Sequence, residues 1–223
     1  MVEIKSIAQL AAENGAKIIV FGDAGVGKTT LLRSLKPGTF VAISAERGLR
    51  AVADLQAPGL EVNNIADFNQ AYQIVMGPQC AEYDTVLIDS ISEIAEQILA
   101  AEKFQVNDPR QAYGALIDQM IALLKSFRDI SGKNIVLLAK EETFQAEGIP
   151  ACYRPSLPGS KLGNAVPYLF DVVLHMQSDF SGARTFKTQP DGISKAKDRS
   201  GKLLPVEDAN HGLQYIIDKI LAP

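Results

Sequence analysis

The stretch Lys17 to Thr30, KIIVFGDAGVGKTT, constrains this chain more than any other. An apolar, β-branched run from Lys17 to Phe21 leads into Gly22 to Thr29, which fits Gly-x-x-x-x-Gly-Lys-Thr, and Thr29 to Leu35 reads as the opening of a helix. Strand, loop and helix in that order make a phosphate-binding loop. Backbone N–H groups converge on a phosphate only where side chains do not intrude, which is the use of the glycines, and a helix that starts at the loop adds the positive end of its dipole. The nucleotide-binding positions are therefore Gly22, Asp23, Ala24, Gly25, Val26, Gly27, Lys28, Thr29 and Thr30. Lys28 is expected to reach the β- and γ-phosphates of ATP, and Thr29 to hold Mg2+.

The remaining chain alternates apolar strands with helical patterns, as a parallel sheet covered by helices requires. Expected strands are Thr39 to Ser44, Glu61 to Ile65, Tyr83 to Asp89, Asn134 to Ala139 and Phe170 to Gln177. Expected helices are Val2 to Asn14, Leu49 to Leu55, Asp67 to Met76, Ile91 to Phe104, Pro109 to Ile130, Leu162 to Leu169 and Asn210 to Leu221. Leu116, Met120, Leu123, Leu124 and Phe127 share one face of the long helix and read as core. Lys140 to Lys161 reads as a long, mobile loop with a strand or short hairpin inside, and Ala183 to Leu204 as a hairpin joined around Pro190-Asp191-Gly192. The fold class is α/β: a mostly parallel twisted sheet flanked by helices, with an antiparallel C-terminal extension. One domain over residues 1–223 is expected, with 1–16 as a lead-in helix and 183–223 as the C-terminal hairpin and helix.

Composition narrows the function classes. With 47% hydrophobic and 22% charged residues the chain has a globular make-up, and no apolar run approaches the roughly 18 residues of a membrane span. No membrane partner is expected. The N-terminus shows no secretion signal, so the expected location is cytoplasmic. Cys80 and Cys152 lack companion ligands and read as buried, reduced thiols, and His175, inside the apolar run DVVLHM, reads as a hydrogen-bonded core histidine. A net charge of −4 argues against wholesale coating by nucleic acid. Against that background Arg184 to Lys202 carries six basic residues and two acids. Arg154 and Lys161, near Tyr153 in the long loop, are the candidates for contact with a nucleic-acid backbone.

A Mg2+-bound triphosphate needs an acid at the end of an apolar strand, and Asp89 occupies that place. Hydrolysis also needs a carboxylate to polarise the attacking water. The position after Asp89 is Ser90, so the base comes from elsewhere. Glu46 follows the strand ending at Ser44 and would emerge at the same C-terminal edge of the sheet as the phosphate loop.

GDAGVGKT, VAISAERGL with Glu46, TVLIDSISEI with Asp89-Ser90, and ISKAKDRSGK occur in that order from about Lys17 to Lys202, and the set resembles the RecA-type ATPase core of strand-exchange recombinases. The resemblance implies Glu46 as the water-activating base, Thr29 and Asp89 as the metal site, and Lys195, Lys197 and Arg199 as cations that complete a neighbouring subunit's active site. It implies a homo-oligomer, ring or filament, acting on single-stranded DNA, with a single-strand-binding protein as a further partner. Total length and the ending from the fDvvlh run onward look closest to small bacteriophage-encoded RecA-like proteins that anneal single strands, which would place the protein in the host cytoplasm. Two departures stand out. Lys140, followed by Glu141 and Glu142, replaces the Gln, Asn or His that in this family senses the γ-phosphate, and no aromatic follows Glu46, leaving Arg50 to stack on adenine. Competing readings are a nucleotide-binding mediator that hydrolyses little and a P-loop small-molecule kinase. Use of GTP is disfavoured because no Asn-Lys-x-Asp motif occurs.

Overall fold

The computed structural model describes residues 4–145, 148 and 150–222. In chain order the strands are β1 (Lys17–Gly22), β2 (Phe40–Ser44), β3 (Gly59–Glu61), β4 (Thr85–Asp89), β5 (Asn134–Phe144), β6 (Cys152–Pro155), β7 (Val172–Ser178), β8 (Arg184–Lys187), β9 (Lys197–Asp198) and β10 (Val206–Asp208). The helices are α1 (Ile7–Ala12), α2 (Ile65–Met76), α3 (Ile91–Gln105), α4 (Pro109–Arg128), α5 (Ser160–Leu169) and α6 (Gly212–Leu221). The sheet runs β10-β8-β7-β1-β5-β4-β2-β3, parallel from β7 to β3 and antiparallel at the β8 and β10 edge. This is a mostly parallel α/β sheet of the P-loop kind, with β1 at its centre between β5 and β7.

Every side chain of β1, β2 and β4 is buried, which is what a strand covered on both faces demands and why these strands are continuous apolar runs. Alternation then sorts them. Ile19 and Phe21 join the cluster built with Phe68, Leu116, Phe127 and Val166 from α2, α4 and α5, while Ile18 and Val20 face Leu31, Leu32, Leu213 and Ile216. The stripe on α4 is core along its whole length. Among the described residues no helix is long and apolar enough to cross a membrane.

Several expected elements differ. The segment after the phosphate loop is a six-residue 3-10 turn, Thr29–Ser34, and a second 3-10 turn at Leu49–Val52 stands where a helix to Leu55 was expected. Side chains wind the first one tight: Thr30 Oγ1 donates to Gly27 O at 2.6 Å, and Ser34 Oγ donates to Leu31 O and accepts from Leu213 N at 2.7 Å. The third strand lies at Gly59–Glu61, and α2 begins at a cap on Asn64, whose side chain accepts from Asp67 N. The expected lead-in helix from Val2 shortens to α1, and residues 1–3 lie outside the described residues. The hairpin expected within 140–161 is present, and it begins at once, because β5 runs on to Phe144 and pairs antiparallel with β6. By contrast, 183–204 is not a hairpin. Strands β8 and β9 lie end to end along one edge of β7, pairing with His175–Ser178 and Val172–Val173, and the turn residues form an excursion between them.

Phe127, fully buried with edge contacts to Phe68 and Tyr72, shows the energetic weight of the larger cluster. Phe127→Ala is expected to lower stability by about 3–5 kcal/mol in denaturant unfolding, since the lost transfer free energy and the cavity left behind add.

Candidate nucleotide-binding site

Three parallel strands end at one edge and deliver the site. From β1 the loop Gly22–Thr29 curls over the sheet, with Gly25 at φ 76° and Gly27 at φ 102°, where an L side chain would be strained. Gly22 is required for a second reason: a Cβ there would sit 2.4 Å from Met176 O of β7. The loop bounds a cavity of about 590 Å³ that Glu46, Asp89, Lys140 and Glu141 complete.

Lys28 Nζ donates to Gly22 O at 2.8 Å and Asp23 O at 2.9 Å, spanning the loop. Burial pulls its pKa below the ordinary lysine value, opposed by the carboxylates of Glu46, Asp89, Asp23 and Glu141. Thr29 Oγ1 donates to Asp89 Oδ2 at 2.7 Å. Burial raises the Asp89 carboxyl above its usual range, the Thr29 hydrogen bond opposes this, and Glu46 adds to it. A hydroxyl and a carboxylate side by side, next to a phosphate loop, are the hard oxygen donors that Mg2+ takes, with water and phosphate oxygens completing its shell. Among the described residues no group of three or more His, Cys, Asp or Glu could hold a metal by itself.

Glu46 stands at the end of β2. Its carboxylate accepts from Ser90 Oγ, and the backbone N–H groups of Ala45 and Glu46 both point to Asp89 O, the former at 2.7 Å. The next residue, Arg47, has φ 54°, an uncommon conformation for a residue other than glycine, held by its ion pair with Glu61 at 3.0 Å and its hydrogen bond to Asn63 at 2.7 Å. Ser90 thus links base and metal site while also capping α3, a role that spacing alone did not disclose.

The departures at 140–142 acquire partners. Lys140 pairs with Glu93 at 2.9 Å and Glu96 at 3.1 Å in the first turns of α3. Glu142 holds Arg154 at 2.6 Å. Glu141 lines the cavity and meets His175 Nε2 at 2.7 Å, while His175 Nδ1 meets Ser194 Oγ at 2.8 Å. Burial holds His175 below its ordinary pKa against the pull of Glu141, and its two ring nitrogens are engaged by Glu141 and Ser194. It stacks on Phe21, 4.5 Å between centroids, in the role expected of a core histidine. Both cysteines are buried and unbridged.

Other expected site residues are not brought to the cavity. Arg50 is exposed, and from its turn Gly48 and Ala51 face the site instead. Arg154 is not available to a nucleic acid: it is 6% exposed, ion-paired, and lies over the Phe144 ring at 4.0 Å. Lys161 is exposed, and Tyr153 is half-buried against His175. Lys195 is exposed, with its backbone N–H on Tyr153 O. Lys197 and Arg199 sit at the start of β7, the opposite end of the sheet from the phosphate loop. Lys197 Nζ donates to Pro167 O at 2.6 Å and to Phe170 O, and Arg199 faces Asp171 and Tyr168 O. Ala196 is buried between exposed Lys195 and half-buried Lys197, and spacing alone says no more than that. What it could not reveal is that the last carbonyls of α5 recruit the Lys197 ammonium.

Residues 14–200 match the family model described as AAA domain. Among solved structures, the crystal structure of the RadB recombinase is similar at 15% identity over 81% of this chain and 86% of that chain, with a TM-score of 0.49. No curated protein matches the sequence.

Two outcomes are expected. Asp89→Asn keeps a partner for Thr29 but removes the charge, so Mg2+ should no longer raise ATP affinity; calorimetric titration with and without Mg2+ checks this, and an undiminished gain would place the metal elsewhere. Lys197→Ala strands two carbonyls and should lower unfolding free energy by about 1–3 kcal/mol.

Proposed function

The chain belongs to the AAA domain family, and from that premise we propose that it hydrolyses ATP with Mg2+ and couples hydrolysis to single-stranded DNA in recombination, by annealing or strand pairing. The observation that carries the hydrolytic part is the cluster at the ends of β1, β2 and β4, where Lys28, the Thr29–Asp89 pair and Glu46 surround one cavity. Lys28 and the loop N–H groups hold the β- and γ-phosphates, and Thr29 and Asp89 hold the metal, which neutralises charge on the phosphates when bound. Glu46 accepts the proton of the attacking water. Its hydrogen bond from Ser90 fixes the carboxylate and leaves the second oxygen for that water.

The DNA part is supported by the order of the four motif segments and their likeness to strand-exchange recombinases. A homo-oligomer fits the same likeness, with exposed Lys195 as the cation offered to a neighbour. A single-strand-binding protein remains a partner to test by co-purification. A second reading, a mediator that binds nucleotide and turns it over slowly, is favoured by Lys197, whose ammonium serves its own chain rather than a neighbour's phosphate. A small-molecule kinase has no use for Glu46.

ATP hydrolysis measured with and without single-stranded DNA at several salt concentrations tests the reading, because phosphate-backbone contacts weaken steeply with salt. Stimulation that fades with salt is expected; slow turnover indifferent to DNA would leave the mediator. Glu46→Gln should retain ATP binding and lose hydrolysis on the order of 10²-fold or more. Wild-type turnover in that variant would place the base elsewhere.

A further inference from the structure

We propose that Arg184 is a phosphate-binding residue of this site, gripping from within the same chain the diphosphate portion that ADP and ATP share; the proposal rests on the nucleotide reading above. Arg184 is the first basic residue of the stretch whose later members point away from the cavity. It opens β8, pairs with Ser178 at the end of β7, and so lies at the edge where the phosphate loop emerges. Its guanidinium packs against the loop backbone: a Cβ on Gly27 would meet Arg184 Nη1 at 2.8 Å and Cζ at 3.0 Å, beside Thr30 Oγ1 at 2.9 Å. It borders a second cavity, about 490 Å³, which meets the nucleotide cavity at Thr30, a residue that lines both.

The electrostatics of this placement point to an anion. Arg33, Arg47, Arg128, Arg154 and Arg199 each face a carboxylate. Among the described residues Arg50, Arg110 and Arg184 have no such partner, and of these three Arg184 is the one packed on the phosphate loop, beside N–H donors and a lysine that is a second cation. A cation among donors gains from a shared acceptor with several oxygens, and a guanidinium fork matches phosphate geometry. The two ends of the site are then complementary. Four carboxylates, Asp23, Glu46, Asp89 and Glu141, act on Lys28. At that end the metal and the water work, and at the Thr30 end Arg184 supplies the charge that the diphosphate needs.

Thermal melting and calorimetric titration of the full chain with ADP and with ATP, Mg2+ present, test the assignment on Arg184→Gln, with Lys28→Ala as reference. Without nucleotide Arg184→Gln should melt close to the parent, since among the described residues the side chain gives up packing on Gly27 but no hydrogen bond or ion pair. Its nucleotide-dependent rise in Tm should shrink, and affinity should fall roughly 10-fold or more, by the same factor for ADP and ATP. Unchanged affinity for both nucleotides, or a loss confined to ATP, would overturn the proposal while Lys28→Ala still fails to bind. Normal binding by Lys28→Ala would instead bring down the nucleotide reading itself, and Arg184 with it.

Discussion

Two backbone ladders, β1 with β5 and β1 with β7, are the constraint on which the rest depends. They hold β1 parallel to both neighbours in the middle of the sheet, so that its C-terminal end has no freedom in position or direction. Parallel pairing sends β4 and β2 to the same edge, and each delivers one functional group there: Asp89 at the last residue of β4, Glu46 two residues past β2. Chemistry gathers at that edge because the strands cannot end anywhere else. Gly22 belongs to the same constraint, since the close approach of Met176 O is the cost of holding β7 tight against the loop strand.

Charge is distributed along the site in a way that leaves work for ligands. In the proposed reaction a divalent cation would stand between the acidic end and a triphosphate, and Thr29 and Asp89 would hold it. Burial and the Glu46 charge raise the Asp89 carboxyl above its usual range, against the Thr29 hydrogen bond and the Lys28 charge. Other polar groups nearby already have partners within the chain: Lys140 pairs with Glu93 and Glu96, Arg154 with Glu142, and Glu141 is hydrogen-bonded to His175. Those pairs link the β5–β6 ribbon to α3 and β7 beside the cavity.

The 3-10 turn after the loop changes how the phosphate site acts. Six residues with i to i+3 bonding do not build the dipole of a full helix, so the loop N–H groups and nearby cations carry more of the anion binding. Thr30 and Ser34 bring this about by bonding to carbonyls three residues back. The packing of α6 against Ser34 leaves the turn no room to widen, as the close approach at Gly212 shows.

By itself the sequence determined the α/β class, the phosphate loop with its strand, the acid at the end of β4, Glu46 at the site's edge and the buried stripe of α4. Each of these is a local pattern: a period of hydrophobicity, a glycine spacing, a residue at a strand's end. Only the tertiary structure decided the fates of the long cations. Lys197 was drawn to the carbonyls ending α5, Arg154 to Glu142 and Phe144, and Arg184 to Gly27, 157 positions earlier in the chain. It also decided that β8 and β9 share one edge of β7 instead of facing each other. The reason is physical: a flexible charged side chain takes its partner from whatever the fold brings within reach, and an edge strand pairs with whichever neighbour is open, neither of which is written in the residues beside it.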